Sequence, residues 1–99
     1  MPGQIPGVLG KYPKQDPRTA SRVLGGEAVV VTPHDSQFHQ LDEVGTFLWE
    51  RATGERPLSA LVDELCAQYE VDRATAERDA EEFVAALVER GMLVLGDGP

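Results

Sequence analysis

Residues 21–41 read SRVLGGEAVVVTPHDSQFHQL, three β-rich runs cut by Gly25-Gly26 and by Pro33-His34-Asp35-Ser36. This alternation constrains the fold more than any other feature. A two-residue Gly-Gly link between apolar runs predicts a tight hairpin, because its central positions need positive φ. Pro33 ends the second run, since proline cannot donate to a ladder. The three runs therefore predict a three-stranded antiparallel meander. Such a sheet, with one apolar face, needs a second layer to cover it.

The covering layer follows directly. At residue 42 the apolar period changes from two to 3.6. In DEVGTFLWERATG, Val44, Phe47 and Leu48 recur at helical spacing, Asp42 is an N-cap candidate, and Gly54 stands where a glycine stop belongs. PLSALVDELCAQYEV then places Leu58, Leu61, Val62, Leu65, Cys66 and Tyr69 on one helical face. A third helix opens at Asp72, carries Ala76, Ala80, Phe83, Val84, Leu87 and Val88 inward, and stops at Arg90-Gly91. MLVL reads as a short final strand or extended tail. The expected class is α+β and winged helix-turn-helix-like: a three-stranded antiparallel sheet followed by three helices. The 99 residues leave room for one core only. Residues 1–18, with four prolines and three glycines, read as a flexible proline-rich N-terminal arm, and residues 19–96 as the domain. Within the arm, Ile5, Val8, Leu9 and Tyr12 are more apolar than a pure linker needs.

Charge and side-chain chemistry remove several functions. Acids outnumber bases seventeen to nine, a net charge of −8 that disfavours nucleic acid and anionic lipid. The third helix, in the place of a DNA-recognition helix, carries Asp72, Glu77, Asp79, Glu81, Glu82 and Glu89 against Arg73, Arg78 and Arg90. Phosphates would repel it. The single Cys66 rules out an internal disulfide and suits a reducing cytoplasm, and no apolar run approaches a membrane span. His34, His39 and Cys66 lack the spacing of a zinc site, and no glycine-rich loop with its lysine is present to cradle phosphate. Cys66 falls on the inward stripe, where a thiol acts as a small hydrophobe rather than a nucleophile. The chain is thus expected to be no enzyme and to need no cofactor. What a three-stranded meander does offer is an edge that can accept an extended peptide.

Three stretches carry a family likeness: GGEAVVVTP, then FHQLDEVGTFLWERATGERPLSALVDELCAQYEVD, then ERDAEEFVAALVERGML. Their joined patterns are a Gly-Glu-Ala strand start, a Leu-Asp-x-x-Gly helix start, and the ending Asp79-x-x-x-Phe83-x-x-x-Leu87-x-x-x-Gly91. Over residues 18–95 the chain resembles the PqqD-like family of peptide chaperones, which includes the recognition elements of ribosomally made, modified peptides. LDEVGTFLW sides with the broad set of recognition domains rather than with the quinone pathway's own member.

The resemblance implies that the leader of a precursor peptide adds as a strand to the third strand, beside the third helix. The domain then presents the precursor to a modifying enzyme such as a radical S-adenosylmethionine protein, a protease or a cyclase. Carried over, the strand edge is Gln37, Phe38, His39, Gln40 and Leu41, and the helical wall is drawn from Arg78, Asp79, Glu82, Phe83 and Ala86. The same open edge allows a monomer or a strand-paired dimer. The competing reading is an acidic winged-helix regulatory or structural subunit acting through protein–protein contacts.

Overall fold

A computed structural model of the chain describes residues 7–99. After a 3₁₀ turn at Val8–Gly10 come β1 (Tyr12–Gln15), β2 (Ala20–Leu24), β3 (Glu27–Thr32) and β4 (Gln37–Gln40). Three helices follow, α1 (Glu43–Glu50), α2 (Leu58–Gln68) and α3 (Arg73–Glu89), and the chain closes with β5 (Leu93–Gly96). The expected meander is β2-β3-β4, antiparallel throughout, with β3 central. Gly25 and Gly26 both have positive φ, at 61° and 84°, as the two-residue hairpin requires. Along β3 the inward side chains Ala28, Val30 and Thr32 are fully buried, while Glu27, Val29 and Val31 occupy the other face. The inward face packs on α1 and joins a core of Leu48, Trp49, Leu58, Leu61, Val62, Leu65, Val84 and Met92.

Local chemistry sets the helix ends. The Asp42 carboxylate accepts the Gly45 N–H at 2.7 Å, and Asp72 accepts from Thr75 N at 3.0 Å. At the end of α3, Gly91 adopts φ 74°. Its N–H bonds Val88 C=O, and Met92 N–H reaches back to Leu87 C=O at 2.8 Å, the paired bonds of a Schellman stop. Gly54 does not end α1 as expected. The helix stops at Glu50 with Arg51 as its C-cap, and Gly54 (φ 83°) instead lets the following loop lie against the Lys14 side chain.

The arm expected over residues 1–18 is in part an element of the domain. β1 pairs antiparallel with β5, Tyr12 opposite Gly96 and Gln15 opposite Leu93. Its other side is stitched to the α1–α2 connection: Gln15 N–H to Ala52 C=O, Gly54 N–H to Pro13 C=O, and Leu58 N–H to Lys11 C=O. Val8 and Pro13 are buried. The turn from β1 to β2 is held by Asp16, whose carboxylate accepts both the Arg18 backbone N–H and its guanidinium. The remainder of the arm, residues 1–6 with Ile5 among them, lies outside the described residues. No helix among the described residues is long and apolar enough to cross a membrane.

Candidate functional site: an open strand edge beside α3

One hydroxyl shows which backbone groups of β4 are free. Leu41 N–H donates to Ala28 C=O at 2.8 Å. The return bond of that rung is replaced by Thr46, whose hydroxyl accepts the Ala28 N–H at 2.8 Å and donates to Leu41 C=O at 3.4 Å. Antiparallel ladders alternate between bonded and non-bonded pairs. With Leu41 opposite Ala28 as a bonded pair, His39–Val30 and Gln37–Thr32 are bonded too. The N–H and C=O groups of Phe38 and Gln40 consequently point away from β3, toward an edge where no strand pairs among the described residues.

The pleat sorts the side chains of β4. Gln37, His39 and Leu41 fall on the helix-side face with Thr32, Val30 and Ala28, whereas Phe38 and Gln40 fall on the outer face with Val31 and Val29. His39 Nε2 lies 3.3 Å from the Thr32 hydroxyl, and Gln40 Nε2 donates to Glu27 at 2.7 Å. The Thr32 hydroxyl also bonds the Asp35 carboxylate. That bond, with smaller help from His34, the Gln37 N–H and His39, holds the Asp35 carboxyl below its ordinary range despite partial desolvation.

α3 runs beside this edge, fixed at two points. A Cβ on Gly45 would sit 3.0 Å from Phe83 Cε1, 3.1 Å from Asp42 Oδ1 and 3.4 Å from Leu41 Cβ, so Phe83 meets the chain where β4 ends and α1 begins. A Cβ on Gly91 would sit 3.0 Å from His34 Nε2, with Arg18 Nη2 at 4.0 Å. Between Phe83 and Gly91 the helix advances roughly 12 Å. β4 has four residues and advances roughly 13 Å at the usual rise of a strand. The second half of α3 and β4 thus lie side by side, in opposite directions.

The candidate wall residues are accordingly not equivalent. Asp79, Glu82, Phe83 and Ala86 share one helical stripe, with Phe83 and Ala86 half-buried against the core and Asp79 and Glu82 exposed. Phe83 touches the Leu41 end of the strand. Exposed Arg78 and Asp79 stand about one turn earlier, beyond that end. By these rises the helix segment level with Gln37 and Phe38 is Leu87 to Gly91, and the turn residue His34, which lies against Gly91 and was not a candidate, joins the site. The glycine stop at Gly91 was the available signal, because it is where the helix comes within reach of the β3–β4 turn.

The chemistry here is that of a receptor for backbone. Among the described residues, no three His, Cys, Asp or Glu side chains converge to hold a metal ion. Several cations are already engaged with acids: Arg73 with Glu77 and Asp63, Arg51 and Arg56 with Glu64, and Arg18 with Asp16. What the edge presents is two outward peptide units, an aromatic on each side of the strand (Phe38 outside, Phe83 on the helix) and no buried polar side-chain atom without a partner.

Comparison with known proteins finds similar structures and a family. The structure of TbiB1 in complex with the TbiA(beta) leader peptide is similar at 34% sequence identity and a TM-score of 0.74, over 81% of this chain and 93% of that one. Lasso peptide synthetase B1 complexed with its leader peptide shares the fold, with a TM-score of 0.76 at 23% identity over 84% of this chain and 98% of that one. No curated protein sequence matches the chain significantly. The family described as Coenzyme PQQ synthesis protein D (PqqD) matches residues 27–93, from the start of β3 to the start of β5. The chain belongs to the PqqD family.

Proposed function

We propose that this protein is a non-catalytic adaptor. It binds the leader segment of a ribosomally synthesised precursor peptide as a fourth strand on the β4 edge and presents it to a modifying enzyme. That enzyme is of the kind that acts on such precursors, a radical S-adenosylmethionine protein, a protease or a cyclase. The observation that carries the reading is the open β4 edge with α3 alongside it, in a chain 34% identical to a protein whose structure holds a leader peptide.

The energetics suit reversible capture. Ordering a peptide costs about 1–2 kcal/mol per residue. Each ladder bond returns about 1 kcal/mol, and each well-buried apolar anchor about 1.5–3 kcal/mol. The surplus corresponds to roughly micromolar to nanomolar affinity, with anchors rather than backbone setting specificity. Gln37 to Leu41 supply the edge, Phe83 and Ala86 the apolar wall, and Arg78, Asp79 and Glu82 the charged rim at the Leu41 end.

The test is a titration of isotope-labelled protein with the leader of the precursor encoded beside its gene, following backbone amides by NMR. Amide shifts concentrated in Gln37 to Leu41 and along α3 are expected. A folded protein whose β4 and α3 amides stay unmoved through saturating peptide would refute the proposal.

A further inference from the structure

The register of the sheet bears on half of the peptide that the groove beside α3 does not touch. Phe38 is 75% exposed. Directly across from it on β3 stands Val31, half-buried, and further along the same outer face lie Val29, Ala20 and Leu24, the last 58% exposed. Ala20, Ser21, Arg22, Leu24, Val29 and Val31 line a shallow depression of about 300 Å³ over β2 and β3, and Phe38 lies beyond it, across from Val31. Arg22 stands across from Val29, but the cross-strand row Ala20–Val31–Phe38 is apolar throughout and ends at the open edge on the Phe38 ring. Its neighbour two residues on is different: Gln40 is polar and bonded to Glu27.

Because the free backbone groups of the edge belong to Phe38 and Gln40, an added strand bonds through the residues level with those two. In a pleated sheet, the residue level with Phe38 projects to the same face as Phe38, away from α3. Resting on the function proposed above, we infer that Phe38 is a specificity-determining residue that reads the outer face of the bound leader. The leader carries an apolar side chain, β-branched or aromatic, level with Phe38. Two residues away along the peptide, level with Gln40, whose side-chain amide is bonded to Glu27, it carries a hydrogen-bonding or cationic one. Selection therefore acts on both faces of the strand, by Phe83 and Ala86 on one side and by Phe38 with Val31 on the other. The order of the two outer residues also reports the direction in which the peptide runs.

The experiment is an alanine scan of a fluorescein-labelled leader, from the precursor encoded beside the gene, by anisotropy against the wild-type protein and Phe38→Ser. Circular dichroism first checks that the variant, altered at an exposed position, is folded. Alanine at the apolar position level with Phe38 is expected to weaken binding to the wild type by about fivefold, the upper range for a cross-strand pair. It should cost nothing further in Phe38→Ser, while alanine at the groove-facing positions weakens binding to both proteins. Two results overturn the inference while leaving the adaptor function intact: every outward position silent in the wild type, or Phe38→Ser binding the unaltered leader as tightly as wild type. A wild-type protein that does not bind the leader at all overturns both.

Discussion

Replacing Thr46 by valine tests the junction on which the open edge depends. Thr46 is 4% exposed, and its hydroxyl stands in for the missing return bond of the Ala28–Leu41 rung, accepting the Ala28 N–H at 2.8 Å and donating to Leu41 C=O at 3.4 Å. Valine keeps the shape and has nearly the same helix propensity, so backbone preference cancels. The lost oxygen leaves the fully buried Ala28 N–H without a partner, at a cost of about 1–3 kcal/mol. The methyl that replaces it returns at most about 0.8 kcal/mol. A net loss of about 1–2 kcal/mol lowers the melting temperature by about 4–16 °C in a domain of this size. Thr46→Ser, which keeps the oxygen and sheds a methyl, should cost only about 0.8 kcal/mol. Thermal unfolding by circular dichroism ranks the three proteins, and hydrogen exchange at Ala28 locates the loss. If Thr46→Val melts with the wild type and its Ala28 amide stays protected, the strands have closed the rung directly. The hydroxyl would then not be what joins α1 to the sheet.

Two further perturbations probe neighbouring features. In Gly45→Ala, the helical gain of up to about 1 kcal/mol opposes a crowding cost of about 1–3 kcal/mol against Phe83 and Asp42. The Phe83 ring is the part free to move, so melting should change little while leader affinity falls. Unaltered affinity would separate Phe83 from the groove. Asp16 bonds the Arg18 side chain and then its backbone N–H, which brings its pKa from 3.8 down to about 2. A depressed folded-state pKa contributes stability above the unfolded value that disappears as pH falls through the folded one. Asp16→Asn should therefore be less stable than wild type at neutral pH, with the gap closing between pH 3.8 and about 2 in denaturant melts. A gap independent of pH would mean that the lost contacts are not ionic.

What the sequence discloses divides by the distance over which each feature is determined. Asp42 and Asp72 as caps, the Gly25-Gly26 hairpin, the Gly91 stop and the α2 stripe are all set within a few residues, and all are as read. β1 is set from far away. Tyr12-Pro13-Lys14-Gln15 has no apolar alternation, and proline argues against a strand. What makes it one is β5 on one side and the loop after α1 on the other, partners remote in the chain. Gly54 was misread for the same reason: its positive φ serves the approach of Lys14, not the end of α1. At the site, the family pattern named the strand and the Phe83 end of the wall. Only the approach of the α3 C-terminus to the β3–β4 turn brings in His34, because which turn of a helix lies level with which residue of a strand is a tertiary distance.

The same geometry decides between the two edges of the sheet. β2 and β4 both have an unpaired side, and backbone bonding alone would favour neither. All five residues of β2 are exposed even though Ser21 accepts the Trp49 Nε1–H from α1, so its edge offers a peptide little apolar wall. A peptide added there would gain its ladder bonds and lie near the shallow outer depression beside Ala20 and Leu24, but it would meet no counterpart of Phe83 and Ala86 on the other face. Ladder bonds at about 1 kcal/mol apiece do not offset ordering at about 1–2 kcal/mol per residue. On the proposed function, a strand added to β4 finds Phe83 and Ala86 on one face and Phe38 with Val31 on the other, so side chains on both faces have apolar surface to bury. It is this two-sided burial, rather than the open edge itself, that favours β4 over β2 as the peptide-accepting strand of the proposed function.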